Sequence, residues 1–193
     1  RRWLGFALGL GSTGVSICYL SSVAFIPFTI AAVIFYTFPI LIVVLSPFID
    51  RKPLTLAMMA IVVAAFIGVV LVLGTTDSGL DPRGLLLAAG ASISAAIQFF
   101  AGTRCRQTGT AAKVVFSQVI VLPSALLTVY FTGAMLTADS QMIALVPIWL
   151  TIGGFVFGFG FQILALTRIS ASVAGLAFCL EPVVAAITSA LVL

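Results

Sequence analysis

Long apolar runs separated by short polar stretches make up almost the whole chain. Seven of these runs are close to the length of about 20 residues that a helix needs to cross the hydrocarbon core of a bilayer. The apolar positions are continuous rather than alternating, which excludes the strand pattern of a membrane β-barrel. We therefore predict an all-α, polytopic helical bundle with spans at about Trp3–Leu20, Ile26–Phe48, Leu54–Leu73, Gly84–Gly102, Val114–Met135, Ile143–Thr167 and Ser170–Leu193.

The composition supports an integral membrane protein. The 193 residues are 62% hydrophobic and 7% charged, whereas a typical soluble domain carries about 25% charged residues. The sequence has no histidine, so imidazole metal sites and imidazole general bases are excluded. The three cysteines form no CxxC pair, which argues against a disulfide framework or a zinc site. We expect no metal, no cofactor and no catalytic residues.

The basic residues fall on one side of the predicted membrane. Eight of the nine Lys and Arg residues lie in one set of alternate loops, and only Arg83 lies in the other set. Cytoplasmic loops of membrane proteins carry an excess of basic residues. We therefore predict a multi-pass protein of the plasma membrane, in which Cys105 is reached by an impermeant thiol reagent only from the cytoplasm. This orientation explains the net charge of +4. We therefore expect membrane lipid as a partner and no nucleic acid. The loops predicted to be cytoplasmic carry Arg51, Lys52, Arg104, Arg106 and Lys113.

An internal repeat is visible when the second span is aligned with the last at an offset of 143 residues. Pro39 then matches Pro182, and Ser46 matches Ser189. Five spans lie between the two copies, and an odd number reverses their orientation in the membrane. Inverted repeats with interrupted helices are typical of secondary transporters. A chance alignment of two apolar segments is the alternative.

Four stretches of the chain, in this order and spacing, are similar to a known family: SSVAFIPFTIAAVIFYTFPILIVVLSPFIDRKPL, IVVAAFIGVVLVLG, RGLLLAAGASISAAIQFFAGTRCR and ALTRISASVAGLAFCLEPVVAAITSALVL. Together they resemble the EamA-type members of the drug/metabolite transporter superfamily. The resemblance implies ten helices in two inverted five-helix repeats, of which this chain would hold about helices three to nine. Residues 1–74 would be a partial first repeat, residues 75–83 a linker, and residues 84–193 a partial second repeat.

The resemblance implies a function in transport. We expect a transporter of small organic solutes or metabolites, and specifically an exporter, that works by gradient-driven alternating access. No GxxxxGK[ST] motif for ATP is present. The alternatives are an intramembrane enzyme that uses Glu181 as acid or base, and a structural or channel-like bundle. The sequence indicates neither the substrate nor the oligomeric state.

Glu181 is the most informative residue of the last span, which has no other charged side chain. An acid at mid-span costs about 2.5–3.5 kcal/mol on insertion scales. Arg168 is the nearest basic residue in the sequence, and along a helix it would lie about 20 Å away. Glu181 either donates a hydrogen bond to a carbonyl freed by Pro182, which is a structural role, or exchanges a proton or meets a solute cation during transport.

Prolines, aromatic residues and glutamines complete the predicted site. Pro39 and Pro182 are expected to kink their spans and to free the carbonyls of Phe35 and Phe178. Aromatic side chains near the kinks and on the preceding spans, Phe157 and Phe161 among them, would line a central cavity or simply pack. Gln98, Gln118 and Gln162 are polar residues within spans that join helices or meet a solute. The candidate substrate or coupling residues are Glu181, Pro182, Pro39, Tyr36, Phe35, Phe178, Gln162 and Tyr19.

Two GxxxG spacings add a prediction about packing. Gly5 and Gly9 form one pair, and Gly154 and Gly158 form the other. Glycines four residues apart on one helix face let a second helix approach closely. We expect close helix contacts at both pairs.

Overall fold

The computed structural model describes residues 2–51, 55–73, 80–105, 109–132, 138–182, 184 and 187–188. Within these ranges the chain forms eight helices and no strand, which confirms the predicted all-α fold. The helices are α1 (Arg2–Ser22), α2 (Phe28–Phe35), α3 (Phe38–Ile49), α4 (Leu56–Leu73), α5 (Pro82–Arg104), α6 (Thr110–Thr132), α7 (Ala138–Arg168) and α8 (Ala171–Phe178).

Five segments of the described chain are long and apolar enough to cross a membrane. Each of them overlaps one of the predicted spans. The third predicted span corresponds to α4, in which Leu56–Gly68 is a shorter apolar helix. The seventh begins with α8 and runs into residues that mostly lie outside the described ranges, as does most of the predicted linker. The five segments are Trp3–Ser22, Phe28–Ile49, Pro82–Arg104, Thr110–Tyr130 and Ile148–Arg168.

The second predicted span is broken into two helices. α2 ends at Phe35, Tyr36 and Thr37 form a turn, and α3 starts at Phe38. Within the break, the Thr37 N–H donates to the Ile34 carbonyl over 3.1 Å, a 3₁₀-type bond that satisfies a carbonyl at the helix end. The span therefore consists of two short helices separated near its middle.

The last predicted span breaks in the same way. α8 ends at Phe178, residues 179 and 180 form a turn, and residues 181 and 182 are helical again. The Leu180 N–H donates to the Ala177 carbonyl over 3.1 Å. Each of these positions lies 143 residues after its counterpart in the second span, the offset of the predicted repeat. The break recurs at the same aligned place, while the inverted relation of the two spans stays a prediction.

The position of the prolines differs from the expectation of kinked helices. Pro39 is the second residue of α3, and Pro182 is the second residue of the resumed helix. In the first turn of a helix the missing proline N–H costs nothing, because that position has no intrahelical acceptor. The helices therefore stop at Phe35 and Phe178 and start again just before each proline.

Helix α1 packs closely along α5 because small residues face each other. A Cβ placed on Gly11 would lie 2.9 Å from the Ser94 carbonyl oxygen and from the Gln98 backbone nitrogen. Of the two predicted GxxxG pairs, Gly9 alone has a close neighbour, Ile120 of α6. The prediction was wrong for the other three glycines, whose Cβ positions have no atom within 4 Å: Gly5, Gly154 and Gly158.

The helix ends that carry Arg104, Lys113 and Arg168 form what we call the basic end of the bundle. Near this end a Cβ on Gly102 of α5 would lie 2.8 Å from Leu166 Cδ1 of α7. Lys113, predicted in a loop, lies in the first turn of α6 and is 1% exposed. Its ammonium donates to the Gly102 carbonyl over 3.5 Å, where a cation is favoured by the helix dipole.

Candidate functional site

A cavity of about 370 Å³ lies in the middle of the bundle. Helices α1, α2, α3, α5, α6, α7 and α8 all contribute side chains to its wall, together with the residue that follows the break after α8. Both helix breaks border the cavity, the first through Phe35 and Phe38 and the second through Phe178 and Glu181. The two interrupted spans therefore meet at one central space.

Glu181 is the only charged residue among the described residues that line the cavity. It is the first residue of the resumed helix, and a negative charge is favoured at a helix N-terminus. Tyr36, from the other break, and Tyr19 of α1 both lie within electrostatic range of the Glu181 carboxylate. Among the side chains that line the described cavity there is no Lys or Arg. A cation or a proton is therefore the natural counter-charge for this carboxylate.

A continuous row of aromatic rings forms one wall. The ring centroids of Tyr19 and Phe35 are 5.1 Å apart, those of Phe35 and Phe38 5.3 Å, and those of Phe38 and Phe99 5.2 Å. Phe99 meets Phe178 edge-on at 5.2 Å. These spacings lie in the range favoured by aromatic pairs. Such a wall suits planar apolar groups, and the faces of its rings attract organic cations.

Hydroxyl and amide groups line another part of the cavity. Gln98 donates from Nε2 to Ser12 Oγ over 3.1 Å, and the Ser12 hydroxyl donates to the Leu8 carbonyl over 2.9 Å. Ser16, one turn further along α1, donates to the Ser12 carbonyl. Gln162 lines the cavity from α7 and has no hydrogen-bond partner among the described residues. Its amide group is available to a solute.

The structure brings six of the eight predicted site residues to the cavity or to its acid. Glu181, Phe35, Phe178 and Gln162 line the space, while Tyr36 and Tyr19 lie within electrostatic range of Glu181. Pro39 and Pro182 are buried and do not line it. They position the two helix restarts instead.

The sequence left open whether Phe157 and Phe161 of α7 line a cavity or simply pack. Phe157 and Phe161 are 71% and 68% exposed and point away from the cavity, whereas Phe155 and Phe159 line it. The cavity residues of α7 are 155, 158, 159 and 162, the i, i+3, i+4, i+7 spacing of one helix face. The helix face that carries Gln162 therefore also carries Phe155 and Phe159.

Several other cavity residues were not singled out in the sequence. Residues 12, 15 and 16 of α1 lie on one face, as do residues 95 and 99 of α5 together with Gln98, at the same helical spacing. Gln98 was predicted to join helices or meet a solute, and Ser12 could have been found as a polar residue in the same kind of apolar span. Within the described part of the chain, no group of three or more potential metal ligands lies together.

The bundle and its long apolar helices define a polytopic helical membrane protein. A profile of the EamA-like transporter family matches residues 82–193, more than half of the chain, and the chain belongs to that family. A crystal structure that is 25% identical superposes with a TM-score of 0.78 over 95% of this chain. The chain spans 65% of the length of that structure. No curated protein matches the sequence.

Proposed function

We propose that the protein moves a small organic solute across the plasma membrane, from the cytoplasm outward, by gradient-driven alternating access. The observation that carries the proposal is the Glu181 carboxylate, which lines a central cavity that holds no basic side chain among its described residues. An acid within a membrane-spanning segment is typical of proton and cation pathways in membrane proteins. Glu181 would therefore be the coupling group.

The residues that line the cavity support a proposal for the chemical class of the solute. Six phenylalanines line it, and Gln98, Gln162, Ser12 and Ser16 provide a limited number of polar contacts. This balance of apolar wall and few polar groups is typical of small-molecule sites. The solute we propose is a mainly apolar, planar molecule with a cationic or hydrogen-bonding group that reaches Glu181. The phenylalanines are Phe35, Phe38, Phe99, Phe155, Phe159 and Phe178.

The mechanism follows from competition for one carboxylate. When the cavity opens to one side, Glu181 binds the solute cation or a proton, and when it opens to the other side the bound species exchanges. The recurrence of the helix break at an offset of 143 residues supports two related halves that rock around a central site, as in other inverted-repeat transporters. The basic end would face the cytoplasm.

The test is accumulation by the full-length protein in liposomes with an imposed proton gradient. Ethidium serves as the planar cation, with tryptophan and a neutral aromatic amide as comparators. We expect at least one of these solutes to accumulate above its equilibrium level and a protonophore to abolish the excess. Equilibration without accumulation would indicate a channel, and a chemically altered solute would indicate an enzyme.

A further inference from the structure

The basic end is tied together by Arg104, the last residue of α5. Its Nη2 donates to the Ile49 carbonyl, and its Nε lies 3.7 Å from Asp50 Oδ1. Ile49 ends α3 and Asp50 is the C-cap of that helix. The last carbonyls of a helix lack intrahelical donors and are stabilised by a nearby cation. One guanidinium therefore fixes the end of α3 to the end of α5.

A second contact lies one turn deeper, between α3 and α8. The Ser172 hydroxyl donates to Ser46 Oγ over 3.2 Å, and both side chains are buried. Gly175 permits this approach, because a Cβ there would already lie 3.3 Å from Ile42 Cδ1 and 3.6 Å from Pro39 Cα. Helix α8 therefore lies directly against α3 at this level.

Both contacts separate the cavity from the basic end. Ser46 lies about 12 Å along α3 beyond the cavity residue Phe38, at 1.5 Å per residue. Ile42, Ile163 and Leu166, each 0% exposed, belong to the same buried cluster as the cavity residues Phe38 and Phe99. Separation of α3 from α5 and α8 would open a route from the cavity toward the basic end. All of these contacts join α3 to the segment 82–193 that matches the family profile.

We propose that Arg104, its partners on α3 and the Ser46–Ser172 pair form a latch that closes the cavity at the basic end and opens once in each transport cycle. The proposal rests on the transport function proposed above. The Arg104 and Asp50 side chains are 47% and 18% exposed, so water replaces their bonds when the latch opens, and exposed ion pairs of this kind are weak. The contact is thus suited to repeated opening. Arg104 is a positioning residue that acts through α3.

The first test locks the latch in the full-length protein. Ser46→Cys and Ser172→Cys are combined with Cys18→Ala, Cys105→Ala and Cys179→Ala, and the pair is oxidised with copper phenanthroline. We expect the disulfide to reduce ethidium accumulation at least tenfold, and a reducing agent to restore it. Each single cysteine variant serves as the control. Full accumulation in the cross-linked protein would contradict the latch proposal. Accumulation by the uncross-linked protein would support the transport function independently of the latch.

The second test needs no transport. In the Ser46→Cys single variant without native cysteines, we measure the rate at which a water-soluble maleimide labels residue 46. Arg104→Gln is expected to raise this rate at least fivefold, and Arg104→Lys, which keeps the charge but not the forked donor, is expected to raise it less. An equal labelling rate with and without Arg104→Gln refutes the latch, whatever the solute assay gives.

Discussion

Individual residues of the site differ in how clearly the sequence identified them. Glu181 could be found from the sequence alone because it is the only charge in an apolar span. The phenylalanines of α7 could not, because Phe occupies every second position from 155 to 161 and a helix places alternate residues on nearly opposite faces. Only the rotation of α7 decides that Phe155 and Phe159 face the cavity. That rotation is set by packing against other helices.

At the residue scale, we predict that Ser12→Ala destabilises the protein more than Ser16→Ala. Ser12 accepts from buried Gln98 Nε2, so its loss leaves that donor unsatisfied, at a cost of about 1 kcal/mol in the free energy of unfolding. Ser16 donates only to a carbonyl of its own helix, and we expect less than about 0.5 kcal/mol for its loss. Detergent-mediated unfolding of the full-length protein measures both. Equal destabilisation would show that the Gln98 bond contributes nothing.

The helices themselves show what a pattern of residue types can and cannot specify. The apolar runs located the described helices, and the prolines marked the two interrupted spans. Each span breaks rather than merely kinks, because proline is accommodated in the first turn of a new helix rather than in the middle of an old one. Which glycines make close contacts was also unpredictable, since Gly11 and Gly5 look alike in sequence. Gly11 faces the α5 backbone and Gly5 faces open space.

At the element scale, Gly11→Ala should loosen the contact between α1 and α5. The new Cβ would lie 2.9 Å from backbone atoms of α5, and overpacking of this kind costs about 1–3 kcal/mol. Gly90→Ala is the matched control in the same interface, because its Cβ would sit 3.6 Å from Cys18 Sγ, an ordinary contact. We expect Gly90→Ala to be neutral or slightly stabilising in thermal unfolding. A Gly11→Ala protein as stable as the Gly90→Ala protein would refute the close approach.

For the whole molecule, the sequence predicted the all-α membrane fold and the family, and both are confirmed. A composition rich in hydrophobic residues and long apolar runs are sufficient to predict a helical membrane fold. The orientation in the membrane stays a prediction, because it depends on the distribution of nine basic residues rather than on packing. Cys105 is a poor probe of it, since the side chain is 6% exposed and burial raises the pKa of its thiol.

Gly109 provides a better probe of orientation. It is exposed and its Cβ position has no neighbour within 4 Å. In a variant with Gly109→Cys and Cys105→Ala, we expect an impermeant maleimide to label residue 109 only from the cytoplasmic side. In the parent protein Cys105 should react at least tenfold more slowly, and its rate should keep rising above the usual thiol pKa of about 8.5, because the thiolate is the reactive form. Labelling of residue 109 from outside intact cells would show that the orientation is the opposite of the one predicted.

The central claim is that Glu181 couples the gradient to solute movement, and Glu181→Gln tests it most directly. Glutamine keeps the shape of the side chain and its capacity for hydrogen bonds but cannot ionise. We expect the full-length variant to insert and unfold like the parent and to lose at least nine-tenths of its gradient-driven ethidium accumulation in liposomes, by analogy with other intramembrane acids. Glu181→Asp, which keeps the carboxylate, should retain part of it.

The measurement is the accumulation ratio of parent, Glu181→Gln and Glu181→Asp at several external pH values. We expect a pH-dependent ratio for the parent and for Glu181→Asp, and a ratio near equilibrium at every pH for Glu181→Gln. Unchanged accumulation and unchanged pH dependence in Glu181→Gln would contradict the coupling role and leave Glu181 with only a structural role.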